Sequence, residues 1–534
     1  MSLSHSLLTR PATLLTAGLA AVCSGCAVGP NFRTPEVELG ERWSEAEAEA
    51  LVESLPEAPP SWWRLLDDPI LNQLVDEAYR ENLDVEVTGL RILEARARLG
   101  IAIGNQYPQS QQARGGALRT GVSENSPNFL SLLADDRYWD ANLGFDVTWE
   151  LDFWGRFRRG VEAAQADLAS SLASYDAALV SLTAETARTY LVIRTLQERI
   201  KVARESVALQ RRSLEIAEVL AGNGLVTELD VAQARTLVES TSAQVPILEA
   251  SLAQAKNALS ILLGQAPGEL DQRLGDGPIP DPPAKVAVGV PAELLRRRPD
   301  VRLAELLAAG QSARVGLAQT DLYPRFGLTG SLGLRAADTG SSDLGDVFSS
   351  DSIEFVGGPI FSWPILNYGR IENAVRVQDA RLQQLLVAYR NSVLNAAREV
   401  EDALAAYLRA REAAAFYARS VEAGLRSVDL ALLQYREGIA DYQRVLDTQR
   451  QLNTEQQRYA QSRGDIATNL VVLYKALGGG WEIRQGQAVV DEANAAEMRD
   501  RTNWGRLLDP AQIPEEAELP APAGEQPLLR RPDF

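Results

Sequence analysis

The sequence predicts a mainly α-helical fold that also contains a membrane β-barrel, built from a chain that is duplicated in tandem. Three observations lead to this prediction. Landmarks in the first half of the chain recur about 214 residues later. Each half contains a pair of segments in which apolar and polar residues alternate, which is typical of β-strands. Each pair precedes a very long stretch with an apolar repeat of 3.5 residues, which is typical of coiled-coil helices.

The composition excludes several classes of function. The 534 residues include 72 acidic and 53 basic side chains, and the net charge of −19 argues against a nucleic-acid binder. His5 is the only histidine, and Cys23 and Cys26 are the only cysteines. Because all three lie near the N-terminus, a processed chain would lack His- or Cys-based catalysis, zinc ligation and a disulfide. Catalysis by carboxylates alone is the enzyme chemistry that this composition leaves open. Our expectation is no enzyme, no metal site and no cofactor other than a covalent lipid.

The first 25 residues have the pattern of an export signal. The apolar core at residues 14–22 is shorter than the roughly 20 residues that span a bilayer. The sequence Ser-Gly-Cys that ends at Cys26 resembles the bacterial lipobox, although Cys23 stands where Leu is usual. We expect residues 1–25 to be removed and Cys26 to carry the lipid, and Ala27 after it implies sorting to the outer membrane. The alternative is an ordinary signal peptide in which the cysteine is coincidental.

The internal repeat divides the chain into segments. Five landmarks of the first half recur in the second at offsets of 214 to 216 residues. They are Asp84-Val85 with Asp300-Val301, Tyr107-Pro108 with Tyr323-Pro324, Trp149 and Gly155-Arg156 with Trp363 and Gly369-Arg370, Gly224-Leu225 with Gly438-Ile439, and Leu263-Gly264 with Leu477-Gly478. The repeats are residues 67–282 and 283–484, joined by a proline-rich linker at 278–283. A lead-in of residues 26–66 precedes them, and an acidic, proline-rich tail of residues 485–534 follows, whose end we expect to be poorly ordered.

Each repeat is predicted to contain one β-hairpin. Residues 142–151 and 326–334 alternate cleanly between apolar and polar side chains, and residues 109–120 and 353–363 are weaker partners for them. Strands of about ten residues with one apolar and one polar face have the length of membrane strands around an aqueous interior. The alternative is a pair of soluble hairpins packed on helices.

A long helical hairpin is predicted after each pair of strands. The apolar seam begins at Leu168 and at Leu382, steps by alternating four and three residues, and contains no proline in either outgoing helix. The first outgoing helix would be about 100 Å long at about 1.5 Å per residue. The returning helices are predicted at 227–263 and 441–477, with Thr227 and Asp441 as their N-caps.

One chain offers four strands, too few to close a barrel, because an open sheet edge is not tolerated in lipid and the smallest membrane barrels need about eight strands. Several chains must therefore pool their hairpins. Over roughly residues 26–480, the sequence resembles the TolC-type outer-membrane efflux channels, in particular their NodT-like lipoprotein branch. The motifs that carry this resemblance are Cys26-Ala-Val-Gly-Pro-Asn-Phe32, Trp62-Trp63, the two Tyr-Pro pairs, Asp152-Phe-Trp-Gly-Arg156, Leu295-Arg-Arg-Arg-Pro-Asp-Val301, Asn367-Tyr-Gly-Arg370 and Gly438-Ile-Ala-Asp-Tyr-Gln-Arg-Val-Leu-Asp447.

The resemblance implies a homotrimer, with a barrel of twelve strands in the outer membrane on a periplasmic tunnel of twelve helices. The implied function is that of a passive duct in a tripartite efflux pump, exporting drugs and toxic compounds. Its implied partners are a periplasmic adaptor and an inner-membrane pump of the RND type. The adaptor would dock on the hairpin tips, which contain Gly224, Leu225, Thr227, Gly438 and Ile439.

The tunnel of this family narrows near the start of the last long helix. The residues that match this constriction are Asp441, Gln443, Arg444, Asp447 and Arg450. Gln443 stands where an apolar residue is common, and Arg444 stands where some members are acidic. Asp447 and Arg450 lie one helical turn apart, and a ring of three Asp447 carboxylates would favour cations. The alternative is that these charges form an ordinary solvated helix face.

Three other functions stay open. A type I protein-secretion duct uses the same fold. A structural periplasmic coiled-coil lipoprotein would need only one helical hairpin. An enzyme based on carboxylates would need two of them about 5–10 Å apart in a concave pocket, which heptad helices do not supply. The lipobox and the duplicated motifs favour drug-type efflux.

Overall fold

The computed structural model describes residues 27–40, 43, 52–53, 60–121, 123, 137–268, 270–283, 286–287, 295–340 and 342–532. Cys26, the expected lipid acceptor, lies outside these residues. Within the lead-in, Val52–Glu53 pairs in parallel with Val286–Ala287, and a 3₁₀ turn at Trp62–Leu66 buries both tryptophans of the Trp-Trp motif.

Both repeats have the predicted order of helix, two strands, long outgoing helix and returning helix. The first contains α1 (Pro69–Glu81), α2 (Leu83–Gly104), β1 (Ser110–Gly121), β2 (Arg137–Glu150), α3 (Arg156–Gly222), α4 (Glu228–Ser242) and α5 (Gln244–Leu262). The second, which follows a short turn at Asp271–Leu274, contains α6 (Pro299–Gln319), β3 (Arg325–Ala337), β4 (Ile353–Ser362), α7 (Arg370–Arg436) and α8 (Tyr442–Ala476). The tail contains α9 (Glu492–Arg501), and 3₁₀ turns lie at Thr320–Leu322, Leu344–Phe348, Ser350–Ser352, Trp481–Arg484 and Pro510–Gln512.

The four long strands form one antiparallel sheet in the order β1-β2-β3-β4. Each repeat contributes a hairpin, and β2 and β3 join the two hairpins. One row across the sheet consists of Phe145, Leu332 and Phe355, which lie opposite one another in the register. These apolar side chains share a face, and Phe355 is 82% exposed. Within the described residues, this sheet therefore presents an uncovered apolar face, with β1 and β4 at its edges.

The outgoing helices α3 and α7 each contain 67 residues, which corresponds to about 100 Å. Most predicted seam residues are buried, including Leu179 and Ile193 in α3 and Val400 and Tyr407 in α7. The coiled-coil prediction is therefore confirmed. No described helix combines the length and the apolarity that a membrane crossing takes.

The first returning helix differs from its prediction. Instead of one helix over 227–263, the structure has α4 and α5 with a break at Ala243. Pro246 explains this break, because it has no N–H to donate to the carbonyl of Ser242 and its ring crowds that carbonyl. The equivalent position in the second repeat is Ala460, and α8 continues through it without interruption.

The tail also differs from its prediction, because its backbone is hydrogen-bonded to the first repeat as far along as Arg530. Its backbone binds side chains of the core: Arg96 donates to the carbonyl of Leu507 at 3.0 Å, and Arg302 donates to that of Ala517 at 2.7 Å. Near its end, the N–H of Arg530 donates to the Gln106 side chain at 3.0 Å. These partners lie hundreds of residues away in sequence, so the composition of the tail gave no sign of them.

Candidate functional site

The two helical hairpins end in matching turns. Gly224 and Gly438 have φ of +73° and +71°, the left-handed conformation that glycine adopts most readily. The N–H of the following residue donates back to the helix, from Leu225 at 3.0 Å and from Ile439 at 2.8 Å. Such a residue usually packs on its own helix, but here Leu225 and Ile439 are 71% and 76% exposed. The predicted tips are thus turns that present two apolar side chains to solvent.

Each returning helix begins with a side-chain cap. Asp441 accepts a hydrogen bond from the N–H of Arg444 at 3.3 Å, as predicted for an N-cap. In the first repeat, Asp230 accepts from the N–H of Thr227 at 3.2 Å, which makes a capping box. The sequence analysis missed Asp230, although an acidic residue three positions after a threonine was the signal for it.

The remaining predicted constriction residues lie on the exposed face of α8. Gln443 donates to Oδ1 of Asp447 at 2.9 Å, and Nη1 of Arg450 lies 3.8 Å from the same oxygen. The structure therefore brings Gln443, Asp447 and Arg450 together along one face, while Asp441 and the backbone of Arg444 form the cap. The hydrogen bond from Gln443 was not predicted. Exposed ion pairs of this kind stabilise a single chain by only about 0–1 kcal/mol.

The opposite face of α8 is packed into a small core at the tip. Tyr442, Val445 and Leu446 are buried there, and the rings of Tyr442 and Tyr435 lie 4.9 Å apart. Burial raises the pKa of the Tyr442 phenol above its usual value, so this group stays neutral. One turn further along, Gln449 donates to the hydroxyl of Ser213 in α3 at 2.6 Å. This packing fixes which face of α8 carries Asp447.

A second group of contacts lies at the end of the sheet where β2 leads into α3 and β4 leads into α7. We call this end the foot of the sheet. The first foot segment is residues 149–155. Its Trp154 donates to the carbonyl of Pro324 at 2.7 Å and stacks on Tyr323 with ring centroids 4.7 Å apart. The adjacent Arg156 forms an ion pair with Asp321 at 2.5 Å. The family-like motif Asp152-Phe-Trp-Gly-Arg156 therefore joins the first repeat to the second.

The second foot segment, residues 363–369, repeats only part of this arrangement. Trp363 donates to the carbonyl of Leu322 at 3.0 Å, as Trp149 donates to that of Gln106 at 3.1 Å. Gly369 begins α7 with φ of +76°, as Gly155 begins α3 with φ of +79°. The residue equivalent to Trp154 is Tyr368, however, and its side chain is 96% exposed.

The chain is similar to known proteins over most of its length. The sequence profile of the outer membrane efflux proteins matches residues 74–265 and 290–479. The solvent efflux pump outer membrane protein SrpC of Pseudomonas putida is 31% identical over 475 residues, covering 86% of this chain and 97% of its own length. Nodulation protein T of Rhizobium leguminosarum bv. trifolii is 29% identical over 468 residues, covering 86% of this chain and 95% of its own length.

The fold is likewise similar to a solved structure, the outer-membrane channel OprN, with a TM-score of 0.80 and 32% identity. That match covers 86% of this chain and all of the other. The two segments of the family match correspond to the two repeats, and both family and fold are those of passive channels. The chain belongs to the family of outer membrane efflux proteins.

Proposed function

We propose that the protein is the homotrimeric outer-membrane duct of a tripartite efflux pump, through which small apolar toxic molecules leave the cell. The observation that carries this proposal is the joining, in one chain, of an amphipathic sheet with open edges to two α-hairpins about 100 Å long. A sheet of this kind suits a lipid environment only when other copies cover its edges. The long hairpins then extend the passage away from the sheet.

The outer surface of α7 supports assembly of several copies. Val387, Leu394 and Phe416 lie on this helix with more than half of each side chain exposed. Apolar side chains exposed in a row along a helix are typical of an interface. Three copies would place β4 of each chain beside β1 of the next and close twelve strands into a ring.

The tips support docking of a periplasmic adaptor that connects the duct to an inner-membrane pump of the RND type. Leu225 and Ile439 are the exposed apolar side chains at the ends of the two hairpins. Small apolar contacts flanked by polar residues suit a reversible complex between helix tips. A lipid on Cys26 would hold the duct in the outer membrane before the pump assembles.

The polar face of α8 supports a constriction near the same end. Gln443, Asp447 and Arg450 contact one another there in a single chain. Three-fold symmetry would turn Asp447 into a ring of carboxylates that attracts cations. Contacts of modest strength suit a gate, because docking of an adaptor must be able to shift its equilibrium.

Relatives suggest the class of exported molecule. Two of them are named as solvent and toluene efflux pump outer membrane proteins of Pseudomonas putida. We therefore propose apolar organic compounds as substrates. The runner-up is a type I protein-secretion duct, which the same architecture would allow.

Deletion of the gene tests this function. The deletion strain should become more sensitive to toluene and should retain more of a fluorescent apolar dye, and the wild-type gene should restore both properties. Protein extracted in detergent should have a mass of three chains after subtraction of the micelle. Unchanged toluene sensitivity and dye retention, together with loss of a secreted protein from the medium, would favour the secretion duct instead.

A further inference from the structure

The duplication of the chain supplies an internal template for a contact between copies. Each Tyr-Pro corner, at 107–108 and at 323–324, lies just before the first strand of its repeat. In each repeat, a tryptophan of the foot segment donates to the carbonyl of the residue just before the corner, at 3.1 Å in the first repeat and at 3.0 Å in the second. These two matching hydrogen bonds establish which residues of the repeats are equivalent in space.

The first foot segment also reaches the corner of the next repeat. Trp154 stacks on Tyr323, donates to the carbonyl of Pro324 and is flanked by the ion pair of Arg156 with Asp321. This contact continues the order of the sheet, in which β2 of the first repeat pairs with β3 of the second. The first foot segment thus bridges two successive corners.

The second foot segment has the same form but meets no further corner within the described part of its own chain. Tyr368 occupies the place of Trp154, is 96% exposed and has φ of +52°, which is uncommon for a residue other than glycine. Ile365 and Leu366 beside it are 70% and 79% exposed. The sheet ends at β4 on this side and at β1, next to the first Tyr-Pro corner, on the other.

We infer that the second foot segment docks on the first Tyr-Pro corner of a second copy of this chain, with Tyr368 stacked on Tyr107 of that copy. This inference rests on the proposed ring of chains and specifies the joint within it. The Tyr-Pro pair is identical in the two corners. The hydroxyl of Tyr107 donates to the carbonyl of Arg530 in the tail at 3.0 Å, so the incoming segment would meet the ring of Tyr107 beside the tail. The expected hydrogen bond runs from the Tyr368 hydroxyl to the backbone of that corner.

The neighbouring polar pair changes in a compatible way. The residue equivalent to Arg156 is Arg370, and the residue equivalent to Asp321 is Asn105. A guanidinium can donate to an amide carbonyl oxygen as well as to a carboxylate, although without the charge of an ion pair. The joint between copies thus has a hydrogen bond from Arg370 where the joint inside the chain has an ion pair, which suits a contact that forms after each chain has folded.

Site-specific cross-linking tests this joint. A chain with Tyr107→Cys and Tyr368→Cys, extracted in detergent and treated with a short bifunctional maleimide, should yield covalent species of two and three chains on a denaturing gel. Each single variant should yield none. The matched control is Trp154→Cys with Tyr323→Cys, which should cross-link within one chain and keep the mass of a single chain.

The proposal is overturned if the uncross-linked protein has a mass of three chains and the control pair reacts, yet the Tyr107 and Tyr368 pair stays at one chain. A mass of one chain for the unmodified protein would overturn the ring itself and the joint with it. These two failures are distinguishable by the mass measurement.

Substitution at Tyr368 gives a second readout that needs no cysteine. Tyr368→Ala should lower the temperature at which the trimer dissociates in detergent, whereas Tyr368→Trp, which copies Trp154, should preserve it. Tyrosine also anchors proteins at membrane interfaces. If Tyr368→Ala weakens membrane association but leaves trimer dissociation unchanged, Tyr368 contacts lipid and the proposed joint is wrong.

Discussion

The outgoing helices α3 and α7 have equal length and the same apolar seam, but α3 is covered by more of the chain than α7 is. α3 packs against α1, α2, α4, α5, α6 and α8, whereas α7 packs chiefly against α6 and α8. As a result, α3 buries charged side chains such as Arg158, Arg159 and Arg194, and α7 exposes apolar ones such as Leu394 and Phe416. The difference teaches that repeating a sequence pattern repeats the helix but not its neighbours.

Two buried charges of α3 have partners in the lead-in and at the end of the second repeat. Arg159 donates to the carbonyls of Val28 and Gly29 at 3.0 and 3.1 Å, which holds the lead-in in place. Asp176 pairs with Arg484, the last residue before the tail, and both side chains are buried. Arg484 in turn donates to the carbonyl of Glu515 in the tail at 2.6 Å. Position 390 of α7, equivalent to Asp176, is an exposed arginine. The lead-in and the tail therefore cover α3, while nothing in the described part of the chain covers α7 in the same way.

The largest expected effect comes from Asp176→Ala. Removal of this carboxylate leaves the buried Arg484 guanidinium without a counter-charge and with the Glu515 carbonyl as its acceptor. The substitution should lower the free energy of unfolding by about 3–5 kcal/mol. Denaturant unfolding followed by circular dichroism measures the change. The matched control is Arg390→Ala in α7, expected to change stability by no more than about 0.5 kcal/mol. Equal effects of the two substitutions would show that the helices are not in different environments.

Ala460→Pro should break the continuous helix α8, as Pro246 breaks the equivalent helix of the first repeat. Proline inside a helix costs about 3 kcal/mol, and Ala460 is also buried. The thermal midpoint and the helix content by circular dichroism should both fall. Pro246→Ala is the reverse variant and should leave both quantities unchanged or raise them. If Ala460→Pro changes neither the thermal midpoint nor the helix content, α8 tolerates the same interruption as the first repeat.

The constriction charges allow a comparison of the returning helices. Asp447 and Arg450 of α8 correspond to the uncharged Gln233 and Thr236 of α4. Replacing Asp447 and Arg450 together with Ala removes the contacts that would close the gate, each worth about 0–1 kcal/mol, and the carboxylates that would bind cations. Single-channel conductance in planar bilayers should rise severalfold, and block by trivalent cations should weaken. Gln233→Ala with Thr236→Ala should leave conductance unchanged. Wild-type conductance in the charged double variant, with the trimer intact, would leave these residues as a solvated face.

The smallest expected effect is on acid stability, at the contact of Asp321 with Arg156 inside the chain and at the proposed contact of Asn105 with Arg370 between copies. Partial burial would raise the pKa of Asp321, but hydrogen bonds and charge from Arg156 and Arg325 outweigh it and hold the pKa below its usual 3.8. A lowered pKa in the folded state means that this carboxylate stabilises the joint above pH 3.8 and loses that contribution as the pH falls further. In the Asp321→Asn variant, the free energy of unfolding should therefore depend less steeply on pH below 3.8.

The reverse substitution tests the other joint. Asn105→Asp would place a carboxylate opposite Arg370 of a neighbouring copy, so trimer dissociation should become more sensitive to acid. The measurement is the fraction of trimer as a function of pH in detergent. If Asn105→Asp leaves that profile unchanged, Asn105 and Arg370 do not face each other across the interface.

Much of the fold could be predicted because its signals are local. The alternation in residues 142–151 identified β2, and the extra residues at its start, from Arg137, lie where the alternation is weaker. The break at Ala243 could have been predicted from Pro246, but an apolar pattern that continued to Leu263 obscured it. The hydrogen bond from Gln443 to Asp447 required side-chain conformations that spacing alone does not supply.

That the tail is folded against the repeats could not be predicted from its sequence. Ten acidic residues and six prolines are typical of a segment without a core of its own. The tail is ordered because core side chains such as Arg96, Arg302 and Glu162 bind its backbone. Such partners satisfy backbone groups that would otherwise need water, and no property of the tail sequence encodes their positions.

The sequence by itself determined the duplication, the four strands and the two long hairpins, because apolar periodicity of 2 or 3.5 residues selects a strand or a coiled-coil helix from local side chains alone. Only the tertiary structure decided which copy of each element is buried. Trp154 and Tyr368 occupy equivalent places after equivalent strands, yet one stacks on Tyr323 and the other is exposed. Burial depends on which distant segments arrive at a surface, and two repeats in one chain necessarily have different neighbours on either side.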